Sequence, residues 1–297
     1  MKYCYPELGG KDLLFARVAG PGLGNMLFPW ARALVASHKS GYKLIEPTWQ
    51  QIKIGPWIRG ERDSRSYGNL FNRSHESLTG IARLKALTLQ KRVSEEKISS
   101  ARDGDVVTFS GMHGYFRPII DDHQLVASRL RAISRKEHRA GLEWDFSSSI
   151  CMHVRLGDFA AAAPSEVIAS GKTNVRLPLQ WYGEVAEGIR AIRGRDTRIY
   201  LFSDGSDHEL EPLLRLDNCR RLSFGSALAD LLALTQSECL IASGSTFSMW
   251  ASYLGRMPVF WCKGQRRHQL YQREHMEPEV ETRIQAIGAA KEIFGAR

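Results

Sequence analysis

The stretch Ser149-Ile150-Cys151-Met152-His153-Val154-Arg155-Leu156-Gly157-Asp158 decides how the chain is read. It is an apolar strand that ends in a His, an Arg, a Gly and an Asp. Side chains alternate across a strand, so Cys151, His153 and Arg155 share one face and Ile150, Met152 and Val154 the other. The polar groups stand at the carboxyl end, where open α/β sheets bind ligands. An Arg placed before a Gly offers a planar fork suited to a phosphate. A structural salt bridge between Arg155 and Asp158 is the other reading of the same residues.

Downstream, strand and helix patterns alternate. Residues 179–192 are helical, opened by Pro178 at a favoured first-turn position. Residues 198–203 (RIYLFS) read as a strand that ends at Asp204, residues 208–216 and 227–235 as helices, and residues 239–242 as a strand. Ser243-Gly244-Ser245-Thr246-Phe247 then turns into a helix over 248–254, and residues 258–261 form a last strand. Such alternation predicts a parallel sheet covered by helices. Three strand ends thus carry polar groups: 153–158, 203–204 and 243–247. Gly244-Ser245-Thr246 offers a helix's opening amides, two hydroxyls and the positive end of its dipole, which favour a phosphate or serve as an ordinary N-cap.

Upstream, residues 12–18 (DLLFARV) read as the first buried strand, running into the glycine-rich Gly20-Pro-Gly-Leu-Gly-Asn25. A helix follows. Pro29 is tolerated in a first turn, which places the helix start near residues 25–28, and Gly41 supplies its stop. Residues 42–45 form the next strand. Residues 47–73 lose all period; their Arg59, Arg62, Arg65 and Arg73 with Trp49, Trp57 and Tyr67 fit either a ligand groove or a solvated loop. Residues 78–98 read as a basic helical stretch, 105–110 as a strand and 121–139 as a charged helix. Asp103-Gly104-Asp105 has the form of a metal-binding D-x-D motif but precedes a strand, so it reads as a turn.

At 297 residues the chain is long enough for two domains, placed at 1–145 and 146–297. The formal charge of +9 favours an anionic partner: nucleic acid, anionic lipid or a phosphorylated substrate. Five cysteines without short spacing fit neither a disulfide framework nor a zinc module, and read as buried thiols. The first residues hold no signal-peptide run, and no uncharged apolar run of ~18 residues occurs. The expectation is a cytoplasmic protein able to touch a membrane peripherally through its basic face.

In one order stand GPGLGNMLFPWA (20–31), GYFRP (114–118), HVRLGDF (153–159), LPLQWY (177–182), FSDG (202–205) and ASGSTFSMW (242–250). The set resembles the bacterial α-1,2-fucosyltransferases of glycosyltransferase family 11, within the group marked by the H-x-R-x-G-D motif. The resemblance implies an α/β protein of GT-B architecture, with two Rossmann-like domains and a cleft between them. The first domain takes the acceptor side and the second a GDP-sugar donor. It also implies inverting transfer of L-fucose without a metal ion, to a lipid-linked or soluble glycan such as an O-antigen or lipooligosaccharide precursor. By position, Arg155 binds the β-phosphate, with Ser245, Thr246 and Phe247 around the diphosphate and sugar. Gly24 and Asn25 approach from the first domain, and Ser203 and Asp204 lie near the nucleoside. His153 and Asp158 complete the catalytic set, with His113 a further candidate base; His153 also fits a core role and Asp158 the orientation of Arg155.

The chain departs from the family pattern at Met26, Leu156, Gly205, Gly244 and Met249, around the expected donor pocket. A related donor such as GDP-colitose therefore stays open. Two other classes compete. A basic RNA-binding protein lacks any recognisable nucleic-acid motif here, and a Rossmann oxidoreductase lacks the G-x-G-x-x-G spacing.

Overall fold

The structure is a computed structural model that describes residues 1–52, 67–157, 159–161, 175–267, 270 and 273–295. The chain divides into two compact units, Met1–His138 and Arg139–Arg297. The division precedes the 145/146 boundary read from sequence because Gly141 lies hard against Ala233 of the second unit, where a Cβ would overlap.

The first unit runs β1 (Tyr3–Glu7), β2 (Lys11–Asp12), β3 (Arg17–Val18), α1 (Leu23–Ser40), β4 (Lys43–Leu44), β5 (Gln51–Ile52), α2 (Gly80–Leu89), β6 (Arg92–Ser94), β7 (Val106–Ser110) and α3 (His123–Ile133). Its main sheet is parallel, in the order β4-β1-β7-β6. Alternation along β1 divides the core: Cys4 packs with Ala33 of α1, and Tyr5 with Ala86 and Leu87 of α2. The first buried strand is therefore Tyr3–Glu7. Residues 12–18 instead form a small hairpin whose Leu13 and Phe15 are exposed. The basic stretch 78–98 also divides. After α2 the chain extends into β6, because Val93 is drawn into the core beside Cys4 and Val107.

Helix α1 begins at Leu23, earlier than the Pro29 rule predicts, with Pro29 in its second turn. Pro29 has no amide hydrogen for the Asn25 carbonyl, a cost offset by a face buried from Met26 to Val35. Gly41 ends the helix at φ 67°, a left-handed cap open to glycine.

The second unit runs β8 (Ser149–Val154), β9 (Ala160–Ala161), β10 (Val175–Arg176), α4 (Leu179–Arg193), β11 (Arg198–Ser203), α5 (Asp207–Leu214), β12 (Cys219–Arg221), α6 (Ala227–Leu234), β13 (Cys239–Ala242), α7 (Thr246–Gly255), β14 (Val259–Cys262), β15 (Glu279–Val280) and α8 (Arg283–Phe294). Six strands form one parallel sheet, β12-β11-β8-β13-β14-β15, with the decisive stretch at its centre. Ile150, Met152 and Val154 pack with Trp181, Val185 and Ile189 of α4 and with Ala286 of α8. The opposite face, with His153, turns toward α7.

Helices α4 and α8 meet at Gly188, where a Cβ would stand 2.7 Å from Ala286 Cβ. Gly188→Ala sets overpacking of 1–3 kcal/mol against a helix-propensity gain of up to ~1 kcal/mol, so a net loss of about 1 kcal/mol is expected in urea unfolding. A gain in stability would show that the two helices part freely.

All five cysteines are free. Burial pushes the thiols of Cys4 and Cys239 up to about 12 and those of Cys219 and Cys262 to about 11, and it also holds the Cys151 thiol well above its ordinary value.

Candidate active site

From β8 the chain builds outward to β11 and β12, then restarts at β13 on the other flank of β8. The connections after β8 and β13 therefore leave in opposite directions, and the crevice between them is where a doubly wound sheet takes its ligand. Arg155 follows β8, Asp204 follows β11, and the Ser243–Ser245 turn follows β13.

Arg155 Nη1 lies 2.7 Å from Asp204 Oδ2, with 24% and 28% of the two side chains accessible, enough for a ligand to reach both. Asp204 Oδ1 accepts the Leu156 amide at 2.9 Å. One carboxylate thus holds both the guanidinium and the backbone beside it. The arrangement requires Gly157, whose Cβ would overlap Asp204 Oδ2. The Phe159 ring lies beneath the guanidinium at 5.6 Å. Asp158, the partner expected for Arg155, lies outside the described residues; the partner they contain comes from the next strand. Arg176 fastens the same turn: Nε donates to the carbonyls of Leu156 (2.7 Å) and Phe159 (3.0 Å), and Nη2 to that of Gly157 (3.1 Å).

His153 Nδ1 stands 2.7 Å from Ser248 Oγ and 3.2 Å from Ser243 Oγ, and Ser243 Oγ is 2.9 Å from Ser245 Oγ. Ser245 caps α7 by accepting the Ser248 amide at 3.3 Å. The Phe247 ring covers the imidazole at 4.9 Å. Burial, opposed by Asp204 and aided by Arg155, pushes the His153 pKa down to about 4, so the ring is neutral near pH 7. His153 therefore ties β8 to α7. Ser203 accepts the Gly205 amide at 3.0 Å, and its carbonyl accepts from Arg221 at 3.1 Å.

Arg155, His153, Ser203, Asp204, Ser245, Thr246 and Phe247 all come to this edge of one sheet. Gly24 and Asn25 lie in the first turn of α1, in the other unit. His113 follows β7 there, its Nδ1 3.6 Å from Glu95 Oε1. Asp103 pairs with the terminal amine and Asp105 accepts the Arg102 amide, which is turn chemistry. Sequence reasoning missed Arg176, which nothing distinguishes among 41 basic residues. It also missed the linkage of Ser243 and Ser248 to His153; four hydroxyl residues within positions 243–248 were its signal. Tyr182 was missed too: its buried hydroxyl has no hydrogen-bond partner among the described residues, and burial raises its pKa.

Residues 104–259, more than half of the chain, match the sequence profile of glycosyl transferase family 11. The chain belongs to glycosyl transferase family 11. The match covers all three of these strand ends, whereas Gly24 and Asn25 precede it. A search of curated proteins finds no match. Among solved structures, NodZ α-1,6-fucosyltransferase soaked with GDP-fucose is similar at TM-score 0.52 and 17% identity, over 86% of this chain and 93% of that one. NodZ from Bradyrhizobium gives 0.45 at 15% identity over 86% and 94%, and POFUT1 in complex with GDP gives 0.46 at 10% over 86% and 96%. The first likeness establishes the fold of the family 11 chain as the α/β GT-B fold expected from its sequence.

Proposed function

We propose that this family 11 chain moves L-fucose from GDP-fucose to a glycan hydroxyl, inverting the anomeric carbon and forming an α-1,2 linkage on an O-antigen or lipooligosaccharide precursor. The observation that carries the reading is Arg155 and the amino end of α7 at one topological switch point, a pairing suited to a diphosphate. Fucose and the linkage are supported by the six motif blocks in family order.

In this reading the acceptor oxygen bonds to the anomeric carbon while the bond from that carbon to the β-phosphate oxygen breaks. The electron pair leaves with GDP, and the hydroxyl proton passes to a base. Charge grows on the departing phosphate, so Arg155 and the α7 dipole stabilise the transition state more than the ground state. They supply the neutralising charge without calling on a metal ion. Asp204 orients the guanidinium, and His153 is a positioning residue that sets α7 against β8.

Three ligands separate the readings. GDP at 100 times its Kd should stabilise the protein by about 2.7 kcal/mol, whereas UDP and NAD should not. Incubation with GDP-fucose or GDP-colitose and a panel of galactose-ended glycans, with linkage read by NMR, then identifies sugar and bond. Stabilisation by NAD alone, or turnover of neither sugar nucleotide, would refute the proposal.

Arg176→Ala tests the turn. Losing its carbonyl contacts should cost about 1–2 kcal/mol of stability. The donor KM should rise more than kcat falls, since the Arg155 turn is loosened before binding. Unchanged kinetics would remove Arg176 from the site.

A further inference from the structure

The charge of the chain is divided unevenly between its two units. Residues 1–138 hold 22 Lys and Arg against 13 Asp and Glu, while residues 139–297 hold 19 of each, so the whole excess of +9 belongs to the first unit. The same unit carries exposed apolar side chains gathered on one small element. In the β2-β3-β5 sheet, Lys11 pairs with Val18 and Val18 with Ile52, so these three share a face. Val18 is 40% and Ile52 50% accessible. The alternate residues Arg17 and Gln51 are buried on the reverse face. At the tip, Leu13 and Phe15 stand 49% and 74% accessible.

The tip is held in this shape. Leu14 takes a left-handed φ of 71°, costly for a branched residue, and turns its side chain into the cluster around Tyr5 and Ile45. Its amide donates to Asp12 Oδ1 at 2.8 Å, and its carbonyl accepts from Arg83 Nη1 at 2.7 Å. The Leu13 amide closes the turn on the Ala16 carbonyl at 2.9 Å. Buried, partnered groups thus fix a loop whose two neighbouring apolar side chains face water.

We infer that the 11–18 hairpin with Ile52 is a membrane-docking surface, on which Leu13 and Phe15 enter the headgroup region of an anionic bilayer drawn by the positive first unit. Four aliphatic and aromatic side chains without a polar partner suit the acyl boundary, and Lys11 on the same face suits anionic headgroups. A nucleic acid would reward the charge but not the aliphatic side chains. The inference does not rest on the donor assignment.

Co-sedimentation of the full chain with equimolar phosphatidylglycerol and phosphatidylcholine vesicles tests it, with pure phosphatidylcholine as reference. The anionic vesicles should bind the protein, and added salt should weaken the binding. Leu13→Ser with Phe15→Ser should lower partitioning at least about tenfold, as expected for two apolar side chains withheld from the interface. The urea midpoint of the same variant should be nearly unchanged, as for substitutions of exposed side chains, which keeps folding apart from docking. Equal partitioning of variant and parent, or no binding to anionic vesicles, would overturn the inference. So would a concentration-dependent dimer, or single-stranded RNA binding, abolished by the same two substitutions; either would assign the hairpin to another occupant.

Discussion

Arg155→Ala should lower kcat for donor turnover by about 10²–10³-fold, the loss typical of removing one preorganised stabiliser of developing charge. The effect should exceed that of any neighbour, because Arg155 is the cationic side chain that β8 delivers to the switch point, held there at 2.7 Å by Asp204. Arg155→Lys keeps the charge but loses the planar fork, and should fall between parent and alanine variant. Folding should survive, since Asp204 retains the Leu156 amide and Arg176 still fastens the turn. Rapid-quench measurement of the chemical step, together with GDP affinity, separates binding from catalysis. If both variants turn over donor at parental rates, the phosphate is held elsewhere and the mechanism falls.

Acidification from pH 7.5 to 5 should cost the folded state about 2 kcal/mol through His153 alone. Its folded pKa near 4 lies below the ordinary 6.5, so the unfolded chain binds a proton in a window where the folded chain does not. Stability therefore rises with pH between these two values and levels off above the upper one. The cause is burial against Phe247 and the serines of the α7 turn. His153→Gln is expected to be less stable at pH 7.5 but to lose about 2 kcal/mol less on acidification, read from urea midpoints of both proteins across the window. Parallel curves would mean that the imidazole is reached by solvent in the folded state.

The sequence made the second unit legible because its strands are short apolar runs that end in abrupt polar turns. Residues 198–203 and 239–242 coincide with β11 and β13, and 149–154 is β8. The first unit was harder. Tyr3–Glu7 contains Pro6 and two tyrosines and lacks the aliphatic character of a central strand, while residues 12–18 have that character and form a hairpin. Burial of β1 depends on α1 and α2 closing over it, which no local pattern states. In the site, residue types were readable but partners were not. Proximity in sequence pairs Arg155 with the acid three positions on, whereas the parallel register of β8 with β11 brings Asp204 beside it from 49 positions away. Arg176 fastens the Arg155 turn through backbone carbonyls, an interaction with no sequence complement to look for, and its ion pair, 3.5 Å to Glu209 Oε1, reaches 33 positions along the chain.

The suppressed acidity of all five thiols gives the protein a built-in clock. Near neutral pH almost none of their sulfur exists as thiolate, the form that reacts with disulfide and maleimide reagents. Cys4 sits in an interior strand of one sheet, and Cys151 and Cys239 on adjacent strands of the other. The labelling rate of each, resolved by peptide mass, therefore records how often its own unit opens, with no engineered cysteine needed. Whether the two sheets come apart together or in turn is written in the order in which those sulfurs acquire a tag.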